Sequence, residues 1–208
     1  MIQSIIGTSF TGGGYNPPPV TFVTIGSQIW SNFNLNVDTY KNGDPIPQVQ
    51  DPIEWKDLTT GAWCWYNNST ENGIIYGKLY NWYAVNDPRG LAPTGYHIPT
   101  EAEWITLINT AGGPSVAKTT LRQIGNTTWF SSGGTDIFNF TALPGGRRIS
   151  NFFNTQSVFE AKQIYGYWWT SDSLNNNGAR SITISPNDNV FITSYNMFQG
   201  QSVRLVKD

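Results

Sequence analysis

The stretch Pro93-Thr94-Gly95-Tyr96-His97-Ile98-Pro99-Thr100-Glu101-Ala102-Glu103-Trp104 opens a helix by its chemistry. Thr100 followed three residues later by Glu103 is a capping box, in which each side chain satisfies a backbone N–H that the first helical turn leaves orphaned. Trp104, Leu107 and Ile108 then recur at the spacing of one helix face, and Gly112-Gly113-Pro114 stops the run. His97, the one histidine of the chain, lies in the lead-in, where a structural hydrogen bond is its expected role.

Working towards the N-terminus, Tyr76 to Val85 carries Leu79, Trp82 and Tyr83 at i, i+3, i+4 and predicts a second helix. Trp63, Trp65 and Tyr66 predict a buried strand beside Cys64, and Pro45, Pro47 and Pro52 break the segment before it into loop. Val20 to Ile25 and Gln28 to Trp30 are β-prone runs separated by Gly26-Ser27, a two-residue hairpin turn. Towards the C-terminus a shorter helix is expected from Ser115 through Ile124, ending at Gly125. Alternation then takes over at Phe138, Phe140 and Ala142, at Ile182 and Ile184, and at Val190 and Ile192, with Pro186-Asn187-Asp188-Asn189 turning the last two runs into a hairpin. Ser202 to Val206 reads as a closing strand. Strands, two main helices, then more strands predict an α+β domain, with no internal repeat.

Composition bounds the function. With 9 Trp, 10 Tyr and 11 Phe in 208 residues, the chain has the apolar material for a core without disulfides or metal. A net charge of −2, with no basic cluster beyond Arg147-Arg148, gives nucleic acid no counterion-release footing. No run approaches the ~20 apolar residues of a membrane span. Met1-Ile2-Gln3-Ser4 lacks the basic start and apolar run of a signal peptide, so either a signal has been removed or assembly is cytoplasmic. Cys64 is the single cysteine, which forbids an intrachain disulfide and favours cytoplasmic assembly.

Residues 1–21 differ from residues 22–208. Gly12-Gly13-Gly14 is a swivel and Pro17-Pro18-Pro19 an extended spacer. One reading is a solvated tail. The other is an anchor, because Ile2, Ile5, Ile6 and Phe10 are apolar enough to add to another subunit's surface.

Five stretches in order carry a resemblance: Tyr76-Gly77-Lys78-Leu79-Tyr80-Asn81-Trp82-Tyr83-Ala84-Val85, the Pro93–Trp104 stretch, Ala142-Leu143-Pro144-Gly145-Gly146-Arg147, Tyr167-Trp168-Trp169-Thr170-Ser171, and Ser202-Val203-Arg204-Leu205-Val206-Lys207-Asp208. Together they resemble the Fibrobacter succinogenes major paralogous domain, found in secreted proteins of Bacteroidota and in some of their phages. The resemblance covers roughly residues 22–208. It implies a C-type lectin-like fold, related to formylglycine-generating enzymes and phage tropism determinants, in which the first and last strands pair. Secreted members carry cysteines near the positions of Cys64, Ala92 and Leu205, and only the first is kept here. That departure fits a reducing assembly compartment and hence a phage-encoded member.

Catalytic chemistry is thinly represented. Cys64, between Trp63 and Trp65, reads as a buried hydrophobe and not as a reactive thiol. One His and one Cys do not make a zinc site, and the Glu-Pro-Asn, Gln-Pro-Asp and Trp-Asn-Asp calcium triplets are missing. Asn86-Asp87-Pro88 and Asn187-Asp188-Asn189 are read as turns, so no metal and no cofactor is expected. Gly145-Gly146 lacks the Lys-Ser or Lys-Thr of a phosphate loop and is expected to allow close backbone approach.

Binding is the better-supported reading. Ser173 to Gly178, with Asn175, Asn176 and Asn177, and Tyr195 to Gln199, with Tyr195, Asn196 and Phe198, read as amide and aromatic loops suited to sugars or flat protein patches. Plain solvated loops are the alternative; Trp168 and Trp169 are assigned to the core. The expectation is a non-enzymatic virion surface protein, a head-fibre, decoration or tail-fibre subunit. Its arm, with Pro17, Pro18 and Pro19, would dock on other virion proteins and its lectin-like domain would meet a host-surface glycan or protein. A homo-oligomer, for instance a trimer, fits this role. The alternatives are a secreted or cell-surface bacterial binding module and an oxidase akin to the formylglycine-generating enzymes.

Overall fold

A computed structural model describes residues 20–150, 156–174 and 178–208. Strands β1 (Phe22–Ile25) and β2 (Gln28–Ser31) form the expected hairpin, with Ile25 opposite Gln28 and Gly26 at φ +62° in the turn. Strand β11 (Val206–Lys207) lies between β2 and β5 (Tyr96–His97), so the sheet order is β1-β2-β11-β5. The chain therefore closes on its own beginning. The pairing continues outside the strands, where Ser31 N donates to the Leu205 carbonyl at 2.9 Å and Leu35 N to that of Val203 at 2.8 Å. The closing strand is shorter than the expected Ser202–Val206. Gln201 and Ser202 are instead taken by bridges to Tyr80 and Trp168. Val20 and Thr21, placed at the end of the arm by composition, are already tied to the body: Thr21 N donates to Asn32 Oδ1 at 2.8 Å.

Helix α4 (Glu101–Thr110) carries the capping box as expected, with Thr100 N donating to Glu103 Oε2 at 2.8 Å and Glu103 N to Thr100 Oγ1 at 3.2 Å. Its Trp104, Leu107 and Ile108 pack with α5 (Pro114–Thr120) against the second sheet. That sheet is a meander of β8 (Gly166–Leu174), β9 (Gly178–Ile184) and β10 (Phe191–Asn196), in the order β10-β9-β8. Trp168, Ile182, Ile184 and Ile192 face the helices. On the other face Trp169 and Ala179 enter a second cluster with Leu35, Tyr80, Trp82 and Leu205. Both Trp168 and Trp169 are fully buried.

Several expectations are corrected. Tyr76–Val85 is no single helix: α2 spans Thr70–Tyr76, β4 Leu79–Tyr80 and α3 Trp82–Val85. Gly77, at φ +77°, ends α2. Asn81 begins α3 by accepting from Ala84 N at 3.0 Å, and also accepts from Ala62 N at 2.9 Å. The apolar spacing arose because this segment is enclosed on all sides, and an enclosed segment shows no true face. The strand expected over Phe138, Phe140 and Ala142 is a loop, with Asn139 and Thr141 in left-handed conformation at φ 53° and 55°. The Asp136 carboxylate holds it, accepting from Thr141 N at 2.7 Å and Thr141 Oγ1 at 2.9 Å. The helix over Ser115–Ile124 ends at Thr120, and Arg122 then bridges to Ala142.

Smaller shifts follow the same logic. The strand near Cys64 is β3 (Trp63–Cys64), paired with β4, and Tyr66–Asn68 forms a 3-10 turn. Pro52, expected in loop, starts α1 (Pro52–Lys56), where a missing N–H costs nothing and Asp51 caps Ile53 N and Glu54 N at 2.8 Å. The Val190–Ile192 run becomes the longer β10, so Tyr195 and Asn196 end a strand and are not loop residues.

Two buried arginines fasten loops to this frame. Arg204 donates to the carbonyls of Ser31, Phe140 and Thr141 at 2.7, 2.9 and 2.8 Å. Arg148, on β6 (Arg147–Ile149), donates to those of Val49, Gln50 and Asp51 at 2.8, 2.9 and 3.1 Å, and stacks on Trp55. The rigid five-donor guanidinium suits this task, because several irregular carbonyls that no ladder reaches are satisfied by one side chain.

Candidate ligand-binding face

The Gly-Gly-Arg-Arg run puts two arginines on opposite sides of β6. Arg148 goes into the core, and Arg147 emerges on the face of the meander opposite α4. Gly146 makes this possible: at φ +64°, a Cβ on it would lie 2.5 Å from the Glu160 carbonyl oxygen and 2.6 Å from Lys162 N. The close approach expected of these glycines is thus what seats β6 against β7 (Val158–Glu160), with Arg147 opposite Glu160.

Arg147 is held between two rings. Its guanidinium carbon lies 4.5 Å from the Tyr167 centroid and 4.4 Å from that of Tyr195, and the rings stand edge to face at 83°. Glu160 Oε1 accepts from Nε at 2.8 Å and pairs with Nη2 at 2.7 Å. Tyr165 stacks beside Tyr167 at 5.8 Å, and its hydroxyl donates to Asp188 Oδ2 at 2.9 Å. That hydrogen bond raises the Tyr165 pKa, and burial raises that of Tyr167 against the pull of Arg147, so both phenols stay protonated at neutral pH. The register aligns Thr183 with Tyr167 on one side and Phe191 on the other, so all three share this face. Phe191 is 39% exposed, and Tyr165 and Tyr195 are half-buried. Tyr167 itself is buried beneath them, so the accessible part is Tyr165, Tyr195 and Phe191 bordered by two carboxylates, a surface for stacking and hydrogen bonding.

Of the residues singled out from sequence, Tyr195 lies here, opposite Ala179, whereas Asn196, opposite Gly178 at the end of the β8–β9 hairpin, alternates to the other side of the sheet. Asn175, Asn176 and Asn177 fall between Leu174 and Gly178, outside the described residues. Ile2, Ile5, Ile6, Phe10, Pro17, Pro18 and Pro19 of the arm also lie outside them. Phe198 belongs to another flank, where its carbonyl accepts from Trp55 Nε1 at 2.7 Å. Sequence reasoning missed Arg147, Tyr165, Tyr167 and Glu160 as a group. The spacing Tyr165-x-Tyr167 signals two rings on one strand face, but nothing local says that Arg147 comes between them and Tyr195.

The reactive residue types are elsewhere and engaged. Cys64 is fully buried, and burial pushes its thiol up to about 12 although Arg148 pulls the other way. Such a thiol supplies no thiolate at neutral pH. His97 places Nδ1 2.8 Å from Asp208 Oδ1 and Nε2 2.7 Å from Glu103 Oε1, linking the closing strand to the cap of α4. Among the described residues no three His, Cys, Asp or Glu side chains converge as a metal site would require, and no helix is long and apolar enough to cross a membrane.

The sequence model of the Fibrobacter succinogenes major domain (Fib_succ_major) matches residues 23–207, nearly the whole described body. The chain belongs to this family. No curated protein and no solved structure matches it. In this Fibrobacter succinogenes major domain the resembling stretches have distinct tasks. Ala142–Arg147 ends in Arg147 of the ring stripe, Tyr167–Ser171 supplies Tyr167 and two core tryptophans, and Ser202–Asp208 brings Arg204 and the closing strand.

Proposed function

We propose that this Fibrobacter succinogenes major domain is a non-enzymatic attachment module of C-type lectin-like fold, displayed on the surface of a phage particle. Residues 1–19, the arm without the two residues tied to the body, dock it on other virion proteins, and the β8–β10 face meets a host-surface glycan or protein. The observation that carries the reading is the Tyr167–Arg147–Tyr195 stack at the margin of the sheet face, where Tyr195 is half-buried and Phe191 exposed beyond the part that the core covers. Rings with fixed polar neighbours give contact area at low entropic cost, the property a recognition surface needs. The pairing of β11 with β2 supports the lectin-like assignment, and a lone buried thiol fits assembly in a reducing compartment.

Two measurements test this. Mass spectrometry of particles purified from the producing culture should detect the chain, and deletion of residues 1–19 should leave a folded protein that no longer joins them. Normal incorporation of the shortened chain would remove the anchor. Recovery of the chain only from culture medium or cell envelopes would favour a secreted bacterial binding module.

A further inference from the structure

We infer that the β8–β10 face takes a neutral, polyhydroxylated ligand, a hexose unit of a glycan, and discriminates against phosphorylated, sulfated or carboxylated sugars. This rests on the reading of that face as the attachment surface. The argument begins with Arg147, which would ordinarily mark an anion site. Here its charge is already met: Glu160 Oε1 takes two of its nitrogens at 2.8 and 2.7 Å, Nη1 faces Gln199 Oε1 at 3.4 Å, and rings cover it at 4.4 and 4.5 Å. The next cation along, Lys162, is engaged by Asn72 Oδ1 at 3.0 Å and lies 5.5 Å from the Tyr66 ring centroid.

What remains accessible is acceptor and ring. The Glu160 side chain is 38% exposed. Asp188 is exposed beside Tyr165, which it orders through the tyrosine hydroxyl. The Arg147–Glu160 pair is neutral as a whole and Asp188 adds a negative charge, so a further anion finds no free cation here among the described residues, whereas sugar hydroxyls donate to the carboxylate oxygens and the C–H face of a pyranose packs on a tyrosine ring.

The test uses the full chain on immobilised dextran and mannan, with dextran sulfate as the anionic counterpart of the same backbone. Retention is expected on a neutral polymer and not on the sulfate. Tyr195→Ala should weaken neutral binding by about tenfold or more. Glu160→Gln should weaken it likewise while raising retention on dextran sulfate, because it frees the charge of Arg147; a merely structural role for Glu160 would not produce that reversal. Thermal melts of both variants identify any loss due to unfolding, and Tyr195→Phe, which keeps the ring, should retain most binding. Tighter binding of wild type to the sulfate, no retention on either neutral polymer, or neutral binding unmoved by both variants would overturn the ligand class. Adsorption to bacterial cell envelopes separates the two levels. If Tyr195→Ala lowers it although neutral polymers do not compete, the attachment face stands with a different ligand. If adsorption is unchanged, the attachment reading itself fails.

Discussion

Arg204 Nη1 donates to the carbonyl oxygen of Ser31 at 2.7 Å, joining positions 173 residues apart. The same guanidinium reaches Phe140 and Thr141 through further N–H groups, so one buried side chain ties the opening hairpin, the loop after Asp136 and the closing strand together. The fold is closed by this residue as much as by the short β11 ladder.

Arg204→Met should therefore destabilise strongly. It leaves several buried carbonyls without donors, each costing about 1–3 kcal/mol, so a loss of roughly 3 kcal/mol or more is expected. Arg204→Lys should recover little, because an ammonium lacks the planar fork that addresses separate carbonyls. Urea unfolding of the three proteins measures this, and equal midpoints would refute the stapling role.

The His97 bridge predicts a pH dependence with a definite sign. Burial lowers the His97 pKa, but its hydrogen bonds to Asp208 and Glu103 outweigh that and leave it above the ordinary 6.5. A group whose folded pKa is raised contributes stability that is complete below the unfolded pKa and disappears as pH rises through the folded one. Glu103 behaves oppositely: burial raises its pKa, but the Thr100 N–H and His97 outweigh this and hold it below 4.5, so its contribution is lost as pH falls. The stabilising effect of wild-type His97 over His97→Asn should be greatest in mildly acidic solution and shrink at higher pH. Melting temperatures across pH 5–9 would show it (roughly the span on either side of the histidine midpoint), and a gap that widens with pH would contradict it.

Cys64 should behave as a core atom. Its raised pKa and full burial predict no maleimide labelling of the native chain and complete labelling after denaturation. Cys64→Ser should leave binding intact and cost about 1–3 kcal/mol, because a hydroxyl is more costly to bury than a thiol. Rapid native labelling, or an activity lost with the serine variant, would restore thiol chemistry to consideration.

Gly146→Ala tests how the ring stripe is seated. The added Cβ meets the Glu160 carbonyl and the Lys162 amide, both backbone atoms that cannot swing aside, in a conformation at φ +64° that L side chains disfavour. A destabilisation of about 2 kcal/mol is expected, with strand β7 displaced and Glu160 drawn away from Arg147. Chemical shifts of the Arg147 side chain would report the change; an unperturbed spectrum would mean that β6 and β7 approach less closely.

Local chemistry alone settled a good deal of this protein. Thr100, Glu103 and the Trp104-Leu107-Ile108 spacing determined α4, and Gly26-Ser27 determined the first hairpin, because caps and tight turns are satisfied by atoms a few residues apart. The composition of rings likewise announced a core, and the order of five motifs indicated the family before any contact was known. Tertiary structure decided the rest. Tyr76–Val85 imitates a helix because an enclosed segment is apolar in every direction, so only Gly77 and Asn81 betray its breaks. Arg147 and Arg148 are adjacent and chemically identical, yet one joins Tyr167 and Tyr195 while the other is sealed beneath Trp55. A strand's alternation predicts that they part. Which of them meets the surface depends on partners far away in the chain, and those are brought near only when the sheet closes.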